Sequence, residues 1–231
     1  MDKKTTILCL PGLGGHRSVF NGYSDMIPDQ MFRYVEMINW QDTMKEIEQI
    51  AREREKIIIM CNCYGTQLAL RLIEKDPSSV IGLILIEPVF AEFYPKLTML
   101  NPINSAVIKL MEFTDRIGLR RKKFDYPIDY RKLSKYPMFI QPFFDMRWQN
   151  MTDYFKKIKD VLTFKLPQTV NVKTLFILSS KGYLRSPKTR EKIYNIFKNH
   201  DSVEIRTDTH NIVALSRKEI AGHIKNWLNN L

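Results

Sequence analysis

The sequence predicts an α/β fold built on a mostly parallel sheet, and three observations carry that reading. Strand-like and helix-like segments alternate along most of the chain. Several of the strand-like runs are apolar without a polar residue in between, as expected of strands covered on both faces. One strand passes through a very tight, small-residue turn directly into a helix. Strand–helix alternation of this kind implies right-handed crossovers within one sheet.

The elements follow in order. Apolar runs at residues 7–10, 34–38, 57–60, 81–86, 175–178 and 203–205 are the expected strands, about six in all. Residues 43–54 place Met44, Ile47 and Ile50 on one side of a charged helix, and residues 66–75 place Leu68, Leu72 and Ile73 at helical spacing. Pro187 opens a helix over 188–198 carrying Ile193, Ile196 and Phe197. Ser216, with Glu219 three residues on, predicts a capping box for a last helix lined by Ile220, Ile224 and Leu228. The rhythm breaks between residues 89 and 172, which are rich in Phe, Tyr, Met and Pro. Helices are expected there around 106–117 and 143–162. An insertion of this size between two strands is commonly a functional lid, so the chain divides into a core of 1–88 and 171–231 and a helical cap of 89–170.

Composition narrows the class. The chain has 231 residues, 44% hydrophobic and 26% charged, enough for one sizeable core. No run of about 18 apolar residues predicts a membrane span, and the apolar stretch after Met1 is too short for a signal-peptide core, so a cytoplasmic location is expected. Three cysteines, an odd number, argue against a disulfide framework and fit a reducing compartment. Cys61 and Cys63 lack the neighbouring ligands of a zinc site, and no metal or organic cofactor is expected. The net charge of +11 reads as a solvated lysine-rich surface or as attraction to an acidic partner. The densest cluster, Arg120-Arg121-Lys122-Lys123, lacks the basic and aromatic interleaving of a nucleic-acid module.

The informative turn is Cys61-Asn62-Cys63-Tyr64-Gly65, between a strand ending in Ile57-Ile58-Ile59-Met60 and a helix starting at Thr66. A side chain at the centre of such a turn sits in strained backbone, and its neighbours two residues away must be small. Gly65 meets that demand; Cys61 stands where a glycine is usual. A thiol at this point, at a helix N-terminus, is in a position that favours the thiolate. The loop Pro11-Gly12-Leu13-Gly14-Gly15-His16, after the first strand, lacks the endings of a P-loop or dinucleotide fingerprint. His210 follows the last expected strand and precedes the last helix.

Taken together, these segments resemble the α/β-hydrolase superfamily. The turn at Cys63 resembles its nucleophile elbow, with cysteine in place of the usual serine. The Pro11–Gly15 loop resembles its oxyanion loop, with Pro11 where histidine is common, and His210 stands where the family keeps its catalytic base. The resemblance implies that the amides of Leu13 and Tyr64 bind an oxyanion and that His210 activates Cys63. The family also supplies an acid after the penultimate strand. Here that segment, Leu178 to Pro187, holds no carboxylate, and Tyr183 stands about where the acid belongs. Three readings remain open. Glu87, after the strand over 81–86, supplies the acid; Cys63 and His210 act as a dyad, since a thiol needs less activation than a hydroxyl; or the site has lost turnover. Asp208 is near His210 in sequence but is expected to point along its loop.

The implied chemistry is acyl hydrolysis. A covalent Cys63 acyl-enzyme would form from a small-molecule ester or thioester, and the basic surface would suit a carrier- or coenzyme-A-bound acyl group. A cysteine elbow is also found in dienelactone hydrolases and polyester-granule synthases, and the glycine loop looks similar to that of stand-alone thioesterases. Cap residues such as Phe90, Phe93, Phe113 and Trp148 would line an acyl pocket or simply pack. Two other classes stay open: an acyltransferase or cyclase that excludes water, and a non-catalytic ligand-binding homologue.

Overall fold

A computed structural model describes residues 5–13, 17–35, 40–53, 56–93, 101–116, 151–180, 182, 184, 186–207 and 211–231. Six strands form one sheet: β1 (Thr6–Leu10), β2 (Met31–Tyr34), β3 (Ile57–Asn62), β4 (Val80–Ile86), β5 (Lys173–Ser179) and β6 (His200–Ile205), in the spatial order β2-β1-β3-β4-β5-β6. Every pairing is parallel. The expected architecture is therefore the observed one.

The strands lack polar alternation because both faces are covered. Leu8, Leu10, Ile57, Ile59, Cys61, Leu83 and Leu85 pack on one face, under α2 (Trp40–Glu53), α3 (Gly65–Lys75) and α6 (Pro187–Ile196). Ile7, Cys9, Ile58, Met60, Ile84 and Ile86 pack on the other, under α1 (Tyr23–Met26), α7 (Ile212–Leu215) and α8 (Arg217–Leu228). Burial of each large aliphatic side chain contributes about 1.5–3 kcal/mol. On the second face the Tyr23 hydroxyl donates to the Val213 carbonyl at 2.8 Å, joining α1 to α7.

Between β4 and β5 lie α4 (Asn101–Arg116) and α5 (Met151–Thr163). They are joined where Asn104 Nδ2 donates to the Phe155 carbonyl at 3.0 Å and Lys156 pairs with Glu112 at 2.9 Å. Val161 of α5 and Phe164 just beyond it are buried in the first core face, so this segment is seated on the sheet's own helices. The part of the helix expected over 143–162 that precedes Met151 lies outside the described residues.

The differences from expectation fall at edges and caps. The strand expected at 34–38 is observed over Met31–Tyr34, beginning three residues earlier where it pairs with β1, and residues 36–38 lie outside the described residues. The last strand starts at His200 rather than 203, since backbone pairing with Thr174 and Leu175 extends it through charged edge residues. Ser216 takes the N-cap position of α8 but makes no side-chain cap, so the capping box is absent. The same residue ends α7, its N–H bonded to the Ile212 carbonyl at 2.8 Å, which holds its backbone away from the extended geometry that a capping side chain uses.

Two glycines give opposite predictions. A Cβ on Gly65 would collide with the Leu10 carbonyl group, whereas Gly222 on α8 faces open space. Gly65→Ala is expected to lose about 3 kcal/mol, a fall in Tm of roughly 6–12 °C. Gly222→Ala is expected to leave Tm unchanged or to raise it slightly, by the helix propensity gained. Thermal melts followed by circular dichroism check both.

Candidate active site

The order of the sheet reverses between β1 and β3: the chain leaves β1 for β2 on one side, and β3 lies on the other. In open parallel sheets the crevice at such a reversal, beyond the carboxyl ends of the strands, is the natural ligand site. The two segments at those ends are Pro11-Gly12-Leu13 after β1 and Cys63 after β3.

Cys63 has φ of 49°, a left-handed conformation unusual for a non-glycine residue. It is one of two such residues described. Its backbone is held from both sides. Its N–H donates to the Ile86 carbonyl at 3.2 Å, and its own carbonyl accepts from Thr66 at 3.1 Å, the first bond of the turn into α3. Gly65 lies flat against Leu10, which lets α3 start directly over β1. Cys61 is tolerated two residues before the thiol because its side chain points into the first core face, with Sγ 3.6 Å from the Ile84 carbonyl and 3.9 Å from Thr66 Oγ1.

The glycine loop meets the elbow. A Cβ on Gly12 would lie 3.2 Å from the Cys63 Cβ and 3.4 Å from Asn62 Nδ2, so Gly12 is in close contact with the turn. Leu13 and Cys63 pack as partly buried neighbours of the same core. The Tyr64 N–H has no protein acceptor among the described residues. It belongs to the orphan donors of a helix start. Buried Asn62 Oδ1, Gln67 Oε1 and Ser179 Oγ also lack protein partners there.

The three thiols differ sharply. Cys9 and Cys61 are fully buried, and burial pushes the Cys9 thiol up and the Cys61 thiol to about 12. Cys63 alone is half-exposed.

Glu87 is not the surface carboxylate that a strand-end position allows: it is 1% exposed. It also has a left-handed backbone, with φ of 47°, and its N–H donates to the Ile177 carbonyl at 3.0 Å. Its carboxylate accepts the Ser179 N–H and lies so close to Gly182 that no side chain fits there. The carboxylate is thus set into the carboxyl end of the sheet, between β4 and the turn after β5. Next to it Ser180 Oγ donates to the Thr207 carbonyl at 3.0 Å and accepts from the Thr207 N–H at 3.2 Å. That pair fixes the start of the loop that leads from β6 toward His210. His210, Asp208, Tyr183, Gly14, Gly15 and His16 lie outside the described residues.

Sequence reasoning did not single out Gln67, Arg71 or Asp160. Gln67, in the first turn of α3, donates to the Val89 carbonyl at 2.6 Å and so binds the elbow helix to the chain just past Glu87. Asp160 of α5 accepts from the Tyr64 hydroxyl at 3.1 Å and pairs with Arg71. Among the described residues no group of three or more His, Cys, Asp or Glu side chains is placed to hold a metal ion, and no helix is long and apolar enough to cross a membrane.

No protein-family model matches the chain, and no curated protein matches it in sequence. Solved structures do match it. An epoxide hydrolase from Bacillus megaterium, in complex with an inhibitor, superposes with a TM-score of 0.69 at 14% identity, over 98% of this chain and 94% of that one. A thermophilic esterase from Thermogutta terrifontis gives 0.69 at 13% identity, over 99% and 90%. MenH from S. aureus gives 0.68 at 15% identity, over 100% and 95%. With its six-stranded parallel sheet and this similarity along nearly its whole length, the chain has the α/β-hydrolase fold.

Proposed function

We propose that the protein is an acyl hydrolase that works through a covalent acyl-enzyme on Cys63. The observation that carries the reading is the left-handed backbone of Cys63 at the switch point of the sheet, where it is the one cysteine of three that is not fully buried. Backbone strain of this kind costs of order 1–3 kcal/mol and persists where function repays it.

In the proposed cycle His210 takes the Cys63 proton and the thiolate attacks the carbonyl carbon of an ester or thioester. The Leu13 and Tyr64 amides bear the negative charge that develops on the carbonyl oxygen. As the tetrahedral adduct collapses, His210 returns the proton to the departing alcohol or thiol. Water, deprotonated by His210, then cleaves the Cys63 thioester, releasing a carboxylic acid and restoring the thiol. Glu87 accepts a hydrogen bond from the His210 ring and fixes its orientation. Two features support that role: the carboxylate is already buried and aimed by the Ser179 amide, and the chain toward His210 leaves from Thr207, which is bonded to the next residue, Ser180. Residues 89–170 act as a cap over the crevice, with Gln67 holding the cap's first residue.

The reading makes two predictions. Iodoacetamide at pH 8 is expected to label a single thiol of the native protein, and none in Cys63→Ser, because the buried thiols are held protonated. Peptide mapping checks this, with labelling after unfolding as the reference for all three. In intact-mass measurements with a panel of acyl thioesters and activated esters, the wild type is expected to carry a transient acyl adduct and Cys63→Ala none. His210→Ala is expected to slow acylation by about 10²–10⁴-fold, with Glu87→Gln falling between wild type and His210→Ala. No adduct from any member of the panel, together with slow alkylation of Cys63, would leave a ligand-binding protein on a hydrolase scaffold.

A further inference from the structure

We infer that Asp160, on α5, is a positioning residue for the oxyanion donor: it holds the side chain of Tyr64 and thereby the Tyr64 amide beside Cys63. The inference rests on the reading of Cys63 as an acylated nucleophile. It adds a residue, from the segment between β4 and β5, that acts on the reacting centre through another.

The geometry is a bridge across the start of α3. The Tyr64 ring is buried, and its hydroxyl donates to Asp160 Oδ2 at 3.1 Å. The other carboxylate oxygen binds Arg71, seven residues further along α3 and so on the same face two turns later. The Arg71 guanidinium in turn lies 5.3 Å from the centre of the Phe164 ring. One carboxylate therefore fastens both the N-cap residue of the elbow helix and that helix's second turn to α5. Burial pushes the Tyr64 phenol up, which keeps it a donor.

The consequence for the site follows from covalent geometry. The peptide joining Cys63 to Tyr64 carries the proposed oxyanion donor, and among the described residues no backbone acceptor fixes that N–H. Its direction is set by rotation about the Cα–C bond of Cys63 and the N–Cα bond of Tyr64, so the peptide lies between a residue held in a left-handed turn and one whose side chain is anchored, with φ of -60°. A donor must meet the oxygen at about 2.7–3.1 Å to stabilise it. Freeing the Tyr64 ring loosens that aim without touching the thiol.

Two reactions of the same thiol separate positioning from folding. Acylation by p-nitrophenyl acetate passes through a tetrahedral oxyanion, whereas alkylation by iodoacetamide does not. In the full chain, Tyr64→Phe and Asp160→Ala are expected to lower the single-turnover acylation rate about tenfold, a fraction of what loss of a whole oxyanion donor costs, and to leave alkylation of Cys63 within about twofold of wild type. Unchanged acylation in both variants overturns the inference. So does an equal fall in acylation and alkylation, which marks a purely structural role. If Asp160→Ala does not fold, Tyr64→Phe, which removes one hydroxyl, decides alone. A wild type that alkylates but is not acylated overturns the reading of Cys63 itself, an outcome distinct from a defect confined to the variants.

Discussion

The approach of Gly65 to the Leu10 carbonyl is the contact on which the site depends. It brings the first turn of α3 directly over the end of β1, leaving no room for a gradual turn between β3 and the helix. The chain reverses within one residue, and Cys63 takes the left-handed conformation that this requires. The same approach brings the Pro11-Gly12 segment into contact with the elbow, so that the nucleophile position and the glycine loop meet at one point of the sheet. The rest of the fold maintains this juncture. The β3–β4 pairing continues into the Cys63–Ile86 bond, and Glu87 leaves β4 with its own left-handed backbone, seated on Ile177 of β5.

The three cysteines show how position sorts one chemical group into different roles. Cys9 and Cys61 occupy opposite faces of the sheet and behave as small core residues with suppressed acidity. Cys63 is only partly buried, at the margin of the first core and beside the reversal of the sheet. A thiol there fits acyl exchange, since its attack on a thioester replaces one thioester by another at little thermodynamic cost. The buried carboxylate of Glu87 sits at the same edge of the sheet, held by the Ser179 amide.

Much of the fold was legible in the sequence because burial leaves a plain trace. Runs such as Ile57-Ile58-Ile59-Met60 have no alternation because helices cover both faces, and the small residues of the elbow are demanded by contact distance. The trace failed where backbone pairing alone extends a strand, as at His200 to Ser202, and where one residue serves two elements, as Ser216 does. Glu87 was legible as a candidate by its place in the chain, but its burial was not, since that depends on a glycine almost a hundred residues later. The Tyr64–Asp160–Arg71 bridge left no sequence signal at all. It joins groups 89 and 96 residues apart, one of them in a segment with no strand–helix rhythm.

The central claim is that the strained elbow presents Cys63 to an acyl carbonyl, with His210 and Glu87 on one side and the Leu13 and Tyr64 amides on the other. A crystal structure of the protein treated with an acyl-chain aldehyde tests it most directly. The account predicts a hemithioacetal on Cys63, its oxygen about 2.7–3.1 Å from the amide nitrogens of Leu13 and Tyr64, with the His210 ring hydrogen-bonded to the Glu87 carboxylate. An aldehyde absent from Cys63, or bound there with its oxygen turned away from both amides and His210 remote from Glu87, would contradict it.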